Sequence, residues 1–197
     1  RSHKASRLRR PGESVRAILA GTKSQTRRVV HGIDADCGEY RPVPIEAPWW
    51  SFSPADDITT GQDIRCPFGV PGDRLWVRET WQTCTTPADR DQSELVFAAD
   101  WPSGRPGFAE DDWSWRSPRF MPRWASRLTL EVTDVRVERL QEITPEDAIA
   151  EGFGGCTVKG CSCAVDLYRR EWGVINGKRA PWESNPWVWA ITFRRAA

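Results

Sequence analysis

The chain has 197 residues, enough for one domain with its own core, and no apolar run approaches the about 20 residues a bilayer span requires. No secretory h-region is present, so the expectation is a soluble, cytoplasmic protein without a membrane partner, most simply a monomer. A formal net charge of +1 neither demands nor forbids a nucleic-acid partner, and the distribution of charge says more than its sum.

Residues 1–14 read as a basic, mobile segment ahead of a single domain at 15–197, and residues 1–30 hold nine Lys and Arg against Glu13. Val15, Ile18 and Leu19 fall at the i, i+3, i+4 spacing of a buried helical stripe. Gly21 sits where a helix stops on a residue that tolerates positive φ. Then come Thr22, Lys23, Ser24, Gln25, Thr26, Arg27 and Arg28, a polar loop that a rigid helix delivers to one point. A solvated helix C-terminus, where cations complement the dipole, is the competing reading of the same residues.

A strand is expected to open at Val29–Val30, and residues 31–70 then read as a long irregular insertion rich in Gly, Pro and Asp. Leu75–Trp81 alternates as a strand, with Leu75, Val77 and Glu79 on one face. A carboxylate on that inward face needs a cationic partner. Residues 82–115 form a second insertion with a strand at Leu95–Ala98, and Arg116, Arg119, Arg123 and Arg127 follow with no acid among them. Leu128–Val137 reads as a long strand with a bulge near Thr133–Asp134. In ITPEDAIAEGF, Thr144 is an N-cap, Pro145 takes the first helical position, and Gly152 stops the helix just after Glu151. A carboxylate in a last turn opposes the helix dipole, which marks Glu151 for attention. Val165–Ile175 is a helix with Leu167, Tyr168, Trp172 and Ile175 on one side, and Trp187–Phe193 closes the chain as a strand.

The predicted class is α+β, a small β-barrel with short flanking helices and two long loop insertions. Twelve tryptophans are present, and Trp49, Trp50, Trp113 and Trp115 sit in loop-like surroundings where they cover a core or stack on bases. Six cysteines without an export signal argue against a disulfide framework. Cys156, Cys161 and Cys163 have C-x4-C-x-C spacing, so a zinc site there needs a distant fourth ligand, and reduced thiols in a glycine-rich loop are the reading adopted. No Walker loop or G-x-G-x-x-G is present.

Gly21, Lys23 and Arg28 make a G-x-K-x-x-x-x-R pattern, followed by GDRLWVRETW, RSPRFMPRWASRLTLEVTDVRVERL, ITPEDAIAEGF and GKRAPWESNPWVWAITF. In this order the blocks resemble the ASCH family, in its phage- and prophage-type branch, over most of the chain apart from 31–65 and the cysteine loop. The resemblance implies a PUA-like barrel with a nucleoside or nucleic-acid (RNA or DNA) ligand at its mouth, and no cofactor. One branch of that family hydrolyses N4-acetylcytidine with a Lys, a Thr three residues on and a later Glu, which map onto Lys23, Thr26 and Glu151. Arg27, Arg28, Glu79, Trp81, Arg123 and Trp124 are the candidate binding residues. Two routes are open: Thr26 attacks if Lys23 is neutral, or Lys23 holds the oxyanion while Glu151 activates water. Two further readings stand beside the amidohydrolase. One is a non-catalytic module that binds a modified or single-stranded base; the other is a ribonuclease, weakened because His3 and His31 lie outside the matched blocks.

Overall fold

The computed structural model describes residues 12–33, 40–54, 61–85, 93–101, 114–154 and 163–196. The basic stretch 1–11, Trp113, Cys156 and Cys161 lie outside the described residues. The described elements run α1 (Glu13–Leu19), β1 (Gln25–Val29), β2 (Tyr40–Pro44), β3 (Trp49–Pro54), β4 (Gln62–Arg65), β5 (Arg74–Trp76), β6 (Trp81–Thr85) and β7 (Ser93–Phe97). They continue with β8 (Thr129–Arg139), α2 (Pro145–Ala148), α3 (Cys163–Asn176) and β9 (Trp187–Arg195). The fold is α+β, and its main sheet, antiparallel in the order β1-β9-β8-β5, is curled into a half-barrel.

The predicted bulge in β8 governs how this sheet is dressed. Its register against β9 shifts between Val132 and Asp134, so Val132, Val135 and Val137 all share one face although their numbers change parity. That face carries Ile191 and Trp189 and packs on Phe52 and Trp50, whose rings meet Trp189 edge-on at centroid distances of 6.5 and 6.1 Å. The opposite face presents Asp134, Arg136 and Glu138 from β8 beside Thr192, Ala190 and Val188 of β9 and Gln25, Arg27 and Val29 of β1. Its apolar end meets α2 and α3 through Ala148, Ala164, Tyr168 and Trp172.

Several expectations are corrected. Residues 31–70 are not irregular throughout, since β2, β3 and β4 form an antiparallel meander within them. Pro42 and Pro44, which read as loop signals, lie on the edge strand β2, where a missing N–H is tolerated. Residues 82–115 likewise contain a hairpin, β6 with β7. The polar loop is shorter than expected because Gln25–Arg28 already belong to β1. The strand expected over Leu75–Trp81 leaves the sheet after Trp76: the Val77 N–H donates to Leu128 O, and Ser126 Oγ donates to Val77 O at 2.8 Å. On α3 the buried stripe is Ala164, Tyr168 and Trp172, whereas Leu167 and Ile175 are exposed. Tyr168 and Trp172 are held by the sheet face and by the Trp172 Nε1 hydrogen bond to Ala180 O at 2.8 Å, which leaves the other apolar side of the helix outward. Among the described residues no helix is long and apolar enough to cross a membrane.

Candidate active site

Two chain reversals bring the two ends of the site together. The first is at the end of α1, where Gly21 takes φ 72° and the N–H groups of Thr22 and Lys23 both donate to Ala17 O. The second follows α2, whose start is capped as expected by Thr144 accepting from the Asp147 N–H at 3.1 Å, with Pro145 at the first position. After Ala148 the chain widens into a π-turn, Ile149–Phe153, closed by Gly152 at φ 92°. Wide turns of this kind redirect a side chain out of the regular helical stack. Ser24 N–H donates to Ala150 O at 2.8 Å and locks the two reversals side by side.

The result is a buried ion pair between residues 128 apart in the chain. Lys23 Nζ donates to Glu151 Oε2 at 2.7 Å and to Glu151 O at 2.9 Å, and both residues are buried. Glu151 Oε1 is buried without a hydrogen-bond partner among the described residues, and lies 3.6 Å from Arg27 Nη1.

Arg27 is the hub behind this pair. Its side chain is 0% exposed. Nε donates to Glu138 Oε1 at 2.8 Å, Nη2 reaches both Glu138 and Asp147, and Nη1 donates to Gln25 Oε1 at 2.6 Å. Gln25 Nε2 in turn donates to Asp147 Oδ1 at 3.1 Å, and Arg136 closes the rim on Asp147 at 3.2 Å. Lys23, Arg27 and Arg136 thus face Glu138, Asp147 and Glu151, three cations against three carboxylates. Burial alone would lower the Arg27 pKa, but Glu138, Glu151 and Asp147 more than offset it and hold the guanidinium charged. For Asp147, burial favours the neutral acid, yet Arg27, the Gln25 amide and Arg136 together keep its carboxyl below the ordinary value. The Tyr168 phenol is pushed far above its usual range, by burial first and then by the Glu151 charge.

The Asp147 shift has a sign that can be tested. A carboxyl whose folded pKa is depressed contributes stability that is present above its unfolded value, about 3.9, and is lost as pH falls through the folded one. Asp147→Asn is therefore expected to lower the urea midpoint at neutral pH and to flatten the acid limb below about pH 4. An acid limb as steep as in the unsubstituted protein would contradict this.

The other expected site residues are placed as follows. Thr26 pairs with Ile191 and lies on the aromatic face of the sheet, because β1 alternates and Gln25 and Arg27 occupy the ionic face. Arg28 shares the Thr26 face and is exposed, with Nη1 donating to Arg27 O. Arg27 is thus no ligand-facing cation but a buried support. Glu79 is buried too, and its expected cationic partner is Arg127, which grips both carboxylate oxygens at 2.9 and 3.0 Å and Asp100 on its other edge. Trp81 is buried with Phe97, Met121 and Ala125, so it is core; Arg123 and Trp124 are exposed. Cys163 opens α3, and among the described residues no cluster of three His, Cys, Asp or Glu could hold a metal ion.

Sequence reasoning passed over Gln25, Arg136, Glu138, Tyr168 and the ionic role of Asp147. A signal was there: Gln25/Arg27 and Arg136/Glu138 are i, i+2 polar pairs on strands, and Asp147/Glu151 are i, i+4 acids across one turn. Comparison with protein-family models, curated proteins and solved structures returns no match for this chain.

Proposed function

We propose that this protein is a hydrolase of an N-acylated cytidine nucleoside or base, built on a PUA-like barrel, with Lys23 and Glu151 as its reacting pair. One observation carries the reading. The two positions implied by the resemblance to the ASCH family, far apart in sequence, meet as a buried ammonium–carboxylate contact, with the other carboxylate oxygen accepting no hydrogen bond among the described residues.

The chemistry follows from those atoms. Glu151 Oε1 has a lone pair to accept a proton from water as that water adds to the acyl carbon. The Lys23 ammonium, already a donor to Glu151, shifts a hydrogen bond to the oxyanion that forms. Collapse of the tetrahedral species breaks the C–N bond, and Glu151 returns its proton to the leaving exocyclic nitrogen, giving the free amine and a carboxylic acid. The parity of β1 favours this route over attack by Thr26, whose side chain belongs to the opposite face. Arg27, Asp147 and Glu138 act by holding Glu151 in place.

The test is to incubate the protein with a panel of acylated nucleosides and follow products by mass spectrometry. Conversion of N4-acetylcytidine to cytidine and acetate is expected. No product from any acylated pyrimidine would end the reading.

A further inference from the structure

The meander of β2, β3 and β4 lies within 31–65, the stretch that the family resemblance leaves out, and its two faces are unequal. Trp50, Phe52 and Ile64 pack into the aromatic cluster of the main sheet. Period-two alternation sends Val43, Trp49, Ser51, Asp63 and Arg65 to the other face. The register sets these in two rows. Val43, Ser51 and Asp63 lie side by side across the three strands. Ile45 continues β2 opposite Trp49, its N–H donating to Trp49 O at 3.1 Å, and Arg65 completes the second row.

Three large apolar side chains in these rows stand in water: Val43 is 49% exposed, Ile45 55% and Trp49 45%. They adjoin one another, and a contiguous apolar patch rimmed by charge marks a contact surface in a way that scattered residues do not. Asp63 and Arg65, both exposed, form its charged margin, one in each row. The open surface stops at the next row, where Ser53 is 3% exposed. Residues 34–39 and 55–60, with Asp34, Asp36, Glu39, Asp56 and Asp57, lie outside the described residues and join the strands at that end, away from the Glu46–Pro48 turn. Pro42 and Pro44 deprive the edge strand β2 of two N–H donors, so the meander is a poor template for strand addition. Its face is what it offers a partner.

We propose that this face is the contact between two copies of the chain, related by a two-fold axis that lies in the interface and runs across the strands. Such an axis lays each strand on its own counterpart, reversed, and exchanges the two rows. Trp49 then covers the partner's Ser51, Ile45 meets the partner's Val43, and Arg65 meets the partner's Asp63, each contact occurring twice. The largest side chain of the six falls on the smallest, and opposite charges coincide. A foreign protein would have to supply that match independently, whereas a second copy supplies it by symmetry. Two rows make a small interface, of the weak and reversible class. A monomer is the simplest expectation from the sequence, and this face argues against it. The inference does not depend on hydrolysis.

The experiment is sedimentation velocity on the full chain from roughly 1 µM to 1 mM. A concentration-dependent shift from one chain mass to two is expected. Trp49→Ser should weaken association about 30-fold, the level of a hot-spot tryptophan. Asp63→Arg and Arg65→Asp each oppose like charges in both polar contacts and should each weaken it about 10-fold. Mixed in equal amounts, these two variants should regain it, because each brings the charges the other lacks, and the double variant Asp63→Arg/Arg65→Asp should associate as the unsubstituted chain does. Both charges are exposed, so an unchanged urea midpoint certifies the fold of these variants, and they decide the matter should Trp49→Ser fail to fold. One chain mass at every concentration overturns the inference and leaves the patch to a different partner. A dimer indifferent to all three single variants overturns it by placing the contact elsewhere. Failure of the mixture to recover overturns it by breaking the two-fold register.

Discussion

Replacing Arg27 with methionine is expected to cost about 3–5 kcal/mol of folding stability, the range seen when one partner of a buried ion pair is removed. The side chain is 0% exposed and serves Glu138, Asp147 and Gln25 directly, with Glu151 3.6 Å away. Methionine fills much of the volume, so a cavity contributes little; the cost comes from Glu138, Asp147 and Glu151 facing only Lys23 and Arg136. Arg27→Lys should fall between the two, since one ammonium restores the charge but cannot reproduce the fork that reaches Glu138, Asp147 and Gln25 at once. Urea unfolding at neutral pH measures this, and at low pH the deficit should shrink as the carboxyls take up protons. A loss below about 1 kcal/mol, the level of an exposed surface pair, would show that the hub carries no such role.

Glu151→Gln is expected to lower turnover of N4-acetylcytidine by about 10²–10⁴-fold, the usual contribution of a positioned general base, because the amide keeps the shape but accepts no proton. Lys23→Met should cost about 10²–10³-fold by removing the donor to the oxyanion. Each single change also unbalances a buried pair, so lost turnover alone does not separate chemistry from folding. The double variant Lys23→Met/Glu151→Gln does, because it removes one cation and one carboxylate together and leaves the remaining network balanced. Its stability should recover relative to Lys23→Met while its turnover stays lost. A double variant that regains turnover along with stability would show the pair to be structural.

What could be read in advance divides along physical lines. The helix ending at Gly21, the Thr144–Pro145 start, the bulge near Thr133–Asp134 and the closing strand from Trp187 all rest on signals spanning a few residues, and the structure has each of them. The meander in 40–65 was hidden because its edge strand carries Pro42 and Pro44, and because Trp50 and Phe52 are separated by Ser51 in a stretch otherwise full of turn residues. β1 was shortened for a different reason. Its inward positions are Gln25 and Arg27, so a binary apolar pattern has nothing to register on a face whose interior is ionic. Lys23 stands out in the polar loop after Gly21 and Glu151 in a last turn, and the resemblance pairs them, but their contact depends on a π-turn and a Ser24–Ala150 hydrogen bond that no local rule announces. Glu79 shows the opposite case: inward alternation alone called for a cation, and Arg127 is there.

The single additional residue in β8 between Val132 and Asp134 acts as a selector. Were Thr133 paired into the ladder instead, every side chain from Asp134 onward would change sides: Arg136 and Glu138 would be thrust among Trp189 and Ile191, while Val135 and Val137 would confront Arg27. The bulge therefore decides which residues of that strand meet the ionic face and which meet the aromatic one. One residue left out of the pairing keeps oil and charge on their proper sides.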